Sequence, residues 1–352
     1  MKRGLKFWSI VALALALPLS SFSQEGVGIP SKKWGLGFGN LTTFTGLRLN
    51  IIDDDIESIK GVNITAWVPK SFDNQSGDFY GLGIGLPMAM GPENRYGASF
   101  ALFAVGATED VMGFNIGGLA VGGNNVYGVN IGGLAVGSGE KLRGINVGGL
   151  AVGAGGNVSG VNVGGLAVGS GKNLSGITIG GFAAGAGRKM TGLNIGGLAV
   201  GAGEKLVGVN IGGLGVGAGE KVIGLNVSIL AVGSGETLAG VTIAGLAAGA
   251  PTVKGLTIAL AAGGEKVTGI TLAPAYFRIT NEGNSDIIPT MTGVSISAFN
   301  HIEGVQKGLT IGIFNYAHKV KGLQVGLLNY NKSNPKGLRW LPILNAGFGK
   351  KG

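Results

Sequence analysis

A sixteen-residue repeat is the feature that most restricts the fold of this chain. Near-identical segments open on a glycine and follow one another at a spacing of 16, with an occasional 15 or 14. The opening glycines of the regular part are Gly113, Gly128, Gly144, Gly160, Gly176, Gly192, Gly208, Gly224, Gly240, Gly255 and Gly269. Self-similarity at a fixed period indicates an array in which every unit has the same local structure.

Within one unit, the chemistry of each position is nearly constant. With the opening glycine counted as position 1, positions 2, 4, 7, 9 and 15 carry aliphatic side chains. Positions 2 and 4 share a face of a β-strand, and so do positions 7 and 9, because side chains alternate along a strand. A helix is disfavoured, since each internal glycine costs up to about 1 kcal/mol there. The fold class is therefore predicted to be all-β.

We predict a β-solenoid with about 16 residues per coil and glycines at its corners. Such coils stack in parallel at about 4.8 Å, so that like residues lie above like. In the unit that opens at Gly144, the side chains expected to point inward are Ile145, Val147, Leu150, Val152 and Val158.

A column of Asn or Thr lies at position 3, between two aliphatic columns. Parallel, in-register stacking would join such side chains into a hydrogen-bonded ladder. We also regard the ladder as a candidate ligand or partner surface, because it would form a long, regular face of amide groups. Its members are Asn115, Asn130, Asn146, Asn162, Thr178, Asn194, Asn210, Asn226 and Thr242.

The alternative architecture is an outer-membrane antiparallel β-barrel with one strand per repeat, acting as a pore or scaffold. The uncharged segment 144–153 has the length of a membrane-spanning strand. Against this alternative, aromatic residues for the membrane interfaces are scarce. Residues 113–275 contain only Phe114, Tyr127 and Phe182. The connections are also nearly uniform in length, where a barrel alternates short and long ones.

The N-terminus carries an export pattern. Three basic residues precede an apolar stretch at 7–19, and Ser21-Phe22-Ser23 resembles a cleavage site with small residues. Residues 1–23 are therefore predicted to be a signal peptide. The mature chain is divided into an N-terminal β region with capping or irregular repeats (24–112), the regular array (113–275) and aromatic-rich variant repeats (276–352).

Composition argues against most reaction chemistry. The chain has no Cys and only two His, so thiolate sites are excluded and general acid–base groups are few. We predict no enzyme activity, catalytic residue, cofactor or metal site. The acidic run Asp53–Asp55 with Glu57 offers oxygen ligands but lacks calcium-loop spacing, so we interpret it as a solvated turn.

The net charge of +9 is concentrated near the C-terminus, which could touch an anionic surface. Nucleic acid is not an expected partner, since no basic–aromatic RNA motif is present.

Several segments resemble the repeats of a family of bacterial surface proteins. Gly308-Leu-Thr-Ile-Gly-Ile-Phe-Asn-Tyr-Ala317, Gly322-Leu-Gln-Val-Gly-Leu-Leu-Asn-Tyr330 and Leu341-Pro-Ile-Leu-Asn345 are similar to its Gly-Leu-Gln-Ile-Gly-Leu-Ile-Asn units. Gly61-Val-Asn-Ile-Thr-Ala-Trp67 and the Gly-Gly-Leu-Ala-Val-Gly arrays resemble its Bacteroidetes branch. The resemblance implies no particular activity. It implies an exported protein of the cell surface or outer membrane, with the periplasm as the alternative location. Together with the composition, this leads us to predict a non-enzymatic structural or interaction role; the partner stays unknown, with envelope or surface components and a membrane as the candidates.

Overall fold

The structure, a computed structural model, describes residues 26–69, 76–281 and 287–347. The predicted signal peptide lies outside these residues. The chain divides into two compact units, Met1–Gly132 and Gly133–Gly352, which are described separately.

The described strands of the first unit are β1 Val27–Ser31, β2 Trp34–Phe38, β3 Thr43–Asn50, β4 Ser58–Thr65, β5 Asp78–Gly85, β6 Met88–Ala89, β7 Asn94–Ala101, β8 Ala104–Gly106, β9 Asp110–Gly117 and β10 Ala120–Gly132. Those of the second unit are β11 Ala135–Gly148, β12 Ala151–Ala154, β13 Asn157–Gly164, β14 Ala167–Ser170, β15 Asn173–Gly180, β16 Ala183–Ala186, β17 Lys189–Gly196, β18 Ala199–Ala202, β19 Lys205–Gly212, β20 Gly215–Ala218, β21 Lys221–Ser228, β22 Ala231–Ser234, β23 Thr237–Ala244, β24 Ala247–Gly249, β25 Thr252–Ile258, β26 Ala261–Gly264, β27 Lys266–Leu272, β28 Tyr276–Ile279, β29 Thr290–Ile296, β30 Phe299–Asn331 and β31 Trp340–Ala346, with a 3-10 turn at Lys336–Leu338.

Each regular coil of the second unit contains one long and one short strand. The long strand β13 pairs in parallel with β15, and the short strand β14 pairs in parallel with β16. The register is position on position, so that Gly160 lies opposite Gly176 and Asn162 opposite Thr178. The predicted parallel β-solenoid of about 16 residues per coil is thus confirmed. Between neighbouring coils of the described regular array, the strands pair in parallel and not in the antiparallel manner of the alternative architecture.

The first unit follows the same plan, although its sequence is less regular. β3, β4, β5, β7 and β9 pair in parallel succession, with Gly46 opposite Gly61 and Gly61 opposite Gly81. Antiparallel strands are found at the chain ends. β1 and β2 form a hairpin on β3, and β31 pairs with β30. These strands cover edges whose free backbone groups would otherwise pair with another chain.

The core of the regular coils consists of positions 9 and 15 together with the Asn column. Val152 and Val158 are each 1% exposed, as predicted. The inward prediction is wrong for Ile145 and Leu150, which are 47% and 45% exposed, and Val147 is only half-buried. The aliphatic columns at positions 2 and 7 therefore lie on the outside of the solenoid.

This error has a definite cause in the opening glycine. The opening glycine does not end a strand: Gly176 lies in the middle of the long strand β15 with φ +107°. The strand continues through it, so Leu174 and Thr178, four residues apart, point to the same side. The buried Leu174 therefore carries Thr178 into the core, and the aliphatic residues on either side of Thr178 point outward.

The opening glycine column generates a prediction about stability. A Cβ on Gly192 would lie 2.1 Å from the carbonyl oxygen of Gly176, and its φ of +114° disfavours any other residue. We expect Gly192→Ala to lower the free energy of unfolding by about 1–3 kcal/mol or more. Gly201, in the same coil, is the matched control, because a Cβ there would meet nothing closer than 3.7 Å. Gly201→Ala should change stability by less than about 0.5 kcal/mol. Equal effects of the two substitutions in thermal or urea unfolding would contradict this account.

Candidate interaction surface

The Asn/Thr column forms a ladder, as predicted, but the ladder lies in the core. Side chains bond from one coil to the next: Asn194 Nδ2 donates to Asn210 Oδ1 at 2.9 Å, and Asn210 Nδ2 donates to Asn226 Oδ1 at 2.8 Å. Similar bonds join Asn115 to Asn130 and Asn146 to Asn162. All nine predicted members are 0–1% exposed: Asn115, Asn130, Asn146, Asn162, Thr178, Asn194, Asn210, Asn226 and Thr242.

This placement corrects the expectation that the ladder faces a ligand or partner. A fully buried amide contributes to the coil-to-coil stacking and is not accessible to another molecule. The ladder is also interrupted at Thr178. Asn162 Nδ2, Thr178 Oγ1 and Asn194 Oδ1 are all buried there without a hydrogen-bond partner. The shorter Thr side chain does not continue the amide chain on either side.

The surface that the structure does expose is aliphatic. We define the apolar face as the side chains at positions 2, 4 and 7 of the second unit's coils. Exposed members at position 2 are Ile145, Ile177, Leu225, Val241 and Ile270, and those at position 4 are Ile179, Ile211, Ile243, Ile296 and Ile311. Exposed members at position 7, the corner between the two strands, include Leu150, Leu166, Leu198, Leu214 and Leu246, and Leu260 continues this column in a shorter coil.

Charged side chains are placed at the opposite corner of the coil. Positions 13 and 14 carry Glu, Lys and Arg, and several of these form ion pairs between coils. The pairs are Arg188–Glu204 at 2.9 Å, Lys205–Glu220 at 3.7 Å, Lys221–Glu236 at 3.9 Å and Lys172–Glu140 at 3.7 Å. All are solvent-exposed, so each contributes at most about 1 kcal/mol to stability. The coil is therefore amphipathic in cross-section, with one aliphatic corner and one charged corner.

A cluster of aromatic side chains occupies the last coils. We define the aromatic cluster as Tyr276, Phe299, Phe314, Tyr316, Tyr330 and Trp340. Tyr316 and Tyr330 stack at 5.1 Å between ring centroids, and Tyr330 lies 4.6 Å from Trp340. Tyr276 and Phe299 continue the column of Ala261, and Arg278 and His301 continue that of Gly263. Two columns that carry Ala or Gly in the regular coils thus carry aromatic and polar side chains in the last coils.

Beside the aromatic cluster, Glu303 is the centre of a small polar group. Thr280 Oγ1 donates to its carboxylate at 2.8 Å, and Arg278 and His301 nitrogens each lie 3.6 Å from it. The Thr280 hydrogen bond lowers the pKa of Glu303; burial opposes this, and the nearby charges of His301 and Arg278 assist it. Burial, followed by the Lys332 charge, lowers the pKa of His318. An ionised and paired Glu303 is suited to holding neighbours in place and is a poor proton donor.

In the acidic run of the first unit, Asp55 and Glu57 are exposed, but the expectation of a solvated turn is wrong for Asp53. Asp53 is 1% exposed and forms an ion pair with the buried Arg48. Its carboxylate also accepts hydrogen bonds from Asn50, Asn63 and Thr65 at 2.6, 2.9 and 2.6 Å. The second buried cation is Arg95, whose pKa is lowered by burial to about 10 although the Asp53 charge opposes this. The sequence gives no signal of this network, because Arg48, Asn50 and Asp53 have the composition of a surface segment, and Asn63 and Thr65 are brought to Asp53 only by the stacking of the next coil.

Neither a metal-binding cluster nor a membrane-spanning helix is found among the described residues. No group of three or more His, Asp or Glu side chains is placed to hold a metal ion. No helix in residues 26–69, 76–281 and 287–347 is long and apolar enough to cross a membrane.

Comparison with models of protein families, with curated proteins and with solved structures finds no match to this chain. The interpretation of the surface therefore depends on its own geometry.

The interruption of the ladder predicts a stabilising substitution. Thr178→Asn would supply an amide between Asn162 and Asn194, whose facing groups are unsatisfied. We expect the free energy of unfolding to rise by about 1 kcal/mol, the usual net value of a buried hydrogen bond. Ser175→Asn, three residues earlier on the same strand and not buried, is the control and should have little effect. If Thr178→Asn does not raise the free energy of unfolding measured by thermal unfolding, the ladder does not add to stability.

The Asp53 network predicts a large loss. Asp53→Ala would leave Arg48 buried without its carboxylate, so we expect the free energy of unfolding of the first unit to fall by about 3–5 kcal/mol. Glu57→Gln is the control, because Glu57 is exposed and its contact with Thr43 can be kept by an amide oxygen. Hydrogen exchange of β3 and β4 would report the difference. Equal protection in the two variants would refute a stabilising role for the network.

Proposed function

We propose that this protein is an exported, non-enzymatic repeat protein of the bacterial cell surface or envelope, with a structural or interaction role. The observation that carries the proposal is the apolar face. A row of aliphatic side chains runs along the solenoid outside its core, and many of these side chains stay more than a third exposed although they stack on their counterparts in neighbouring coils. Exposed apolar patches of this kind mark interaction sites.

The chemistry of the outer surface favours binding over catalysis. Aliphatic, Gly and Ala side chains cover most of the regular coils, and they can pack but cannot transfer a proton. The Asn side chains that could bind polar ligands are buried in the ladder. The charged groups at positions 13 and 14 are largely engaged with one another. The regular array is thus suited to a scaffold that is recognised by packing.

Export is supported by the N-terminal pattern and by the resemblance to bacterial surface-repeat proteins. The basic residues, apolar stretch and small residues before Gln24 are the features that a secretion system reads. These residues lie outside the described part of the chain. An envelope location also suits a chain without Cys, which has no thiol to be oxidised there.

Export can be tested in a Gram-negative host that expresses the full chain with a C-terminal tag. We expect the mature protein to begin at Gln24, to fractionate with the envelope and to be cleaved by protease added to intact cells. The control is the double variant Leu13→Arg/Leu15→Arg, which interrupts the apolar stretch and should keep the whole chain in the cytoplasm. A wild-type chain that remains cytoplasmic with its N-terminus intact would refute the proposal.

A further inference from the structure

The choice of residues on the apolar face differs from that on the rest of the same strand. Positions 16, 2 and 4 all point outward from the long strand, because side chains alternate along it. Position 16, the residue before each opening glycine, is mixed in chemistry: it is Arg143, Ser159, Ser175, Thr191, Val207, Ile223 and Ala239 in successive coils, and Lys254 has the same place before Gly255. Positions 2 and 4 are Val, Ile or Leu in every coil that opens from Gly144 to Gly308. A preference for residues that favour β-strands would act on all three positions. It therefore does not explain why only positions 2 and 4 are limited to Val, Ile and Leu.

The dimensions of the apolar face match those of a protein interface. The described residues of the second unit contain eleven opening glycines with positive φ, from Gly144 to Gly308. At about 4.8 Å per coil and about 15 Å from position 2 to position 7, the face covers about 750 Å². Two such faces together would bury about 1,500 Å², the standard size of a stable protein–protein interface. A patch of this size exceeds the largest patch of a typical monomer, about 300–600 Å².

The occupant that fits this face best is a second copy of the same chain. Its rows of side chains repeat at the coil spacing, and only another array with that spacing offers matching ridges and grooves along the whole length. No charged residue lies in positions 2, 4 or 7 of these coils, and charged residues before the opening glycines, such as Lys254 and Lys307, border the face, so two faces can meet over these positions without burying a charge. The charged corner is at positions 13 and 14, on the far side of the coil from the position 7 corner.

A lipid surface fits the same face less well. Surfaces that lie in a membrane interface combine apolar residues with Trp and Tyr at headgroup level. Residues 133–275 contain no Trp or Tyr, and their one aromatic residue is Phe182; the Trp and Tyr of the aromatic cluster are confined to the last coils and do not line the length of the face. Short, stiff Val and Ile side chains are instead typical of faces that pack against another sheet.

We propose that the second unit pairs with a second copy of this chain through the apolar face, which buries positions 2, 4 and 7 of both copies. The inference deepens the proposed function, since it names the partner of its interaction surface. It does not depend on export, so the two can fail separately. A dimer that is not exported would refute the proposed function alone. An exported monomer would refute the inference alone.

The test uses the purified mature chain in analytical ultracentrifugation over a wide range of concentration. We expect a dimer for the wild type. The double variant Ile177→Lys/Leu225→Lys places two charges in the face at exposed positions, so the coil should fold as before. Its dimer dissociation constant should rise by about 10²-fold or more, because each Lys would have to be buried unpaired.

A matched control separates the apolar face from added charge in general. Gly169→Lys/Gly217→Lys adds the same charge to the short strands of two coils, where a Cβ meets nothing within 4 Å at Gly169 and one atom at 3.4 Å at Gly217. This variant should dimerise like the wild type, and circular dichroism should show that both variants fold. A wild type that stays monomeric at all concentrations would overturn the inference. So would a dimer that is weakened equally by both variants.

A second arm addresses the lipid alternative. Vesicles of phosphatidylethanolamine and phosphatidylglycerol are floated with wild-type protein and with each variant. Under the dimer proposal the protein stays at the bottom of the gradient. A monomeric wild type that floats, and loses flotation in Ile177→Lys/Leu225→Lys but not in the control, would assign the face to a membrane and overturn the inference.

Discussion

In-register stacking of one coil on the next is the constraint on which the rest of this structure depends. Every residue of a regular coil lies against its own counterpart, so each column must tolerate contact with itself. Asn meets this condition, because its amide is both a donor and an acceptor, and Asn194, Asn210 and Asn226 bond in sequence. Glycine meets it at position 1, where Gly176 and Gly192 approach within the space that a Cβ would need. Two columns thus hold the register that all other columns follow.

This register explains why the polar column is inside and an aliphatic column outside, the reverse of the usual arrangement. A buried Asn is costly unless it is hydrogen-bonded, and in a solenoid the next coil supplies the partner. The core is then narrow and closed by position 9 and position 15 side chains such as Val152 and Val158. The aliphatic residues at positions 2 and 4 have no place in that core. Their repetition over many coils requires an explanation outside the single chain.

The period, the strand class and the parallel ladder could be predicted from the sequence, because each depends only on which residues recur. The side of the strand that faces inward could not be predicted from the sequence, because it depends on whether the chain turns at Gly176 or continues straight through it. Both conformations are open to glycine, and the positive φ that keeps β15 continuous leaves no mark in the sequence. The buried ion pair of Arg48 and Asp53 was missed for a different reason. In sequence, the acidic run has the composition of a surface turn, and the burial of Asp53 depends on Arg48 in its own coil and on Asn63 and Thr65 in the next coil.

In the last coils, the residues that point outward differ from those of the regular coils, while the pairing of the strands is unchanged. Where the regular coils have Ala261 and Gly263, the following coils have Tyr276 and Arg278 at the same register, and the strands pair as before. The small residues of those columns are thus not needed for stacking. Several glycines at position 10, such as Gly169, Gly185 and Gly201, have open space and an ordinary φ, in contrast to those at position 1, whereas a Cβ on Gly263 would clash with the carbonyl oxygen of Arg278. Outward positions with such space can accept a side chain, and this freedom is the argument for a binding role of the columns that stay aliphatic through eleven coils.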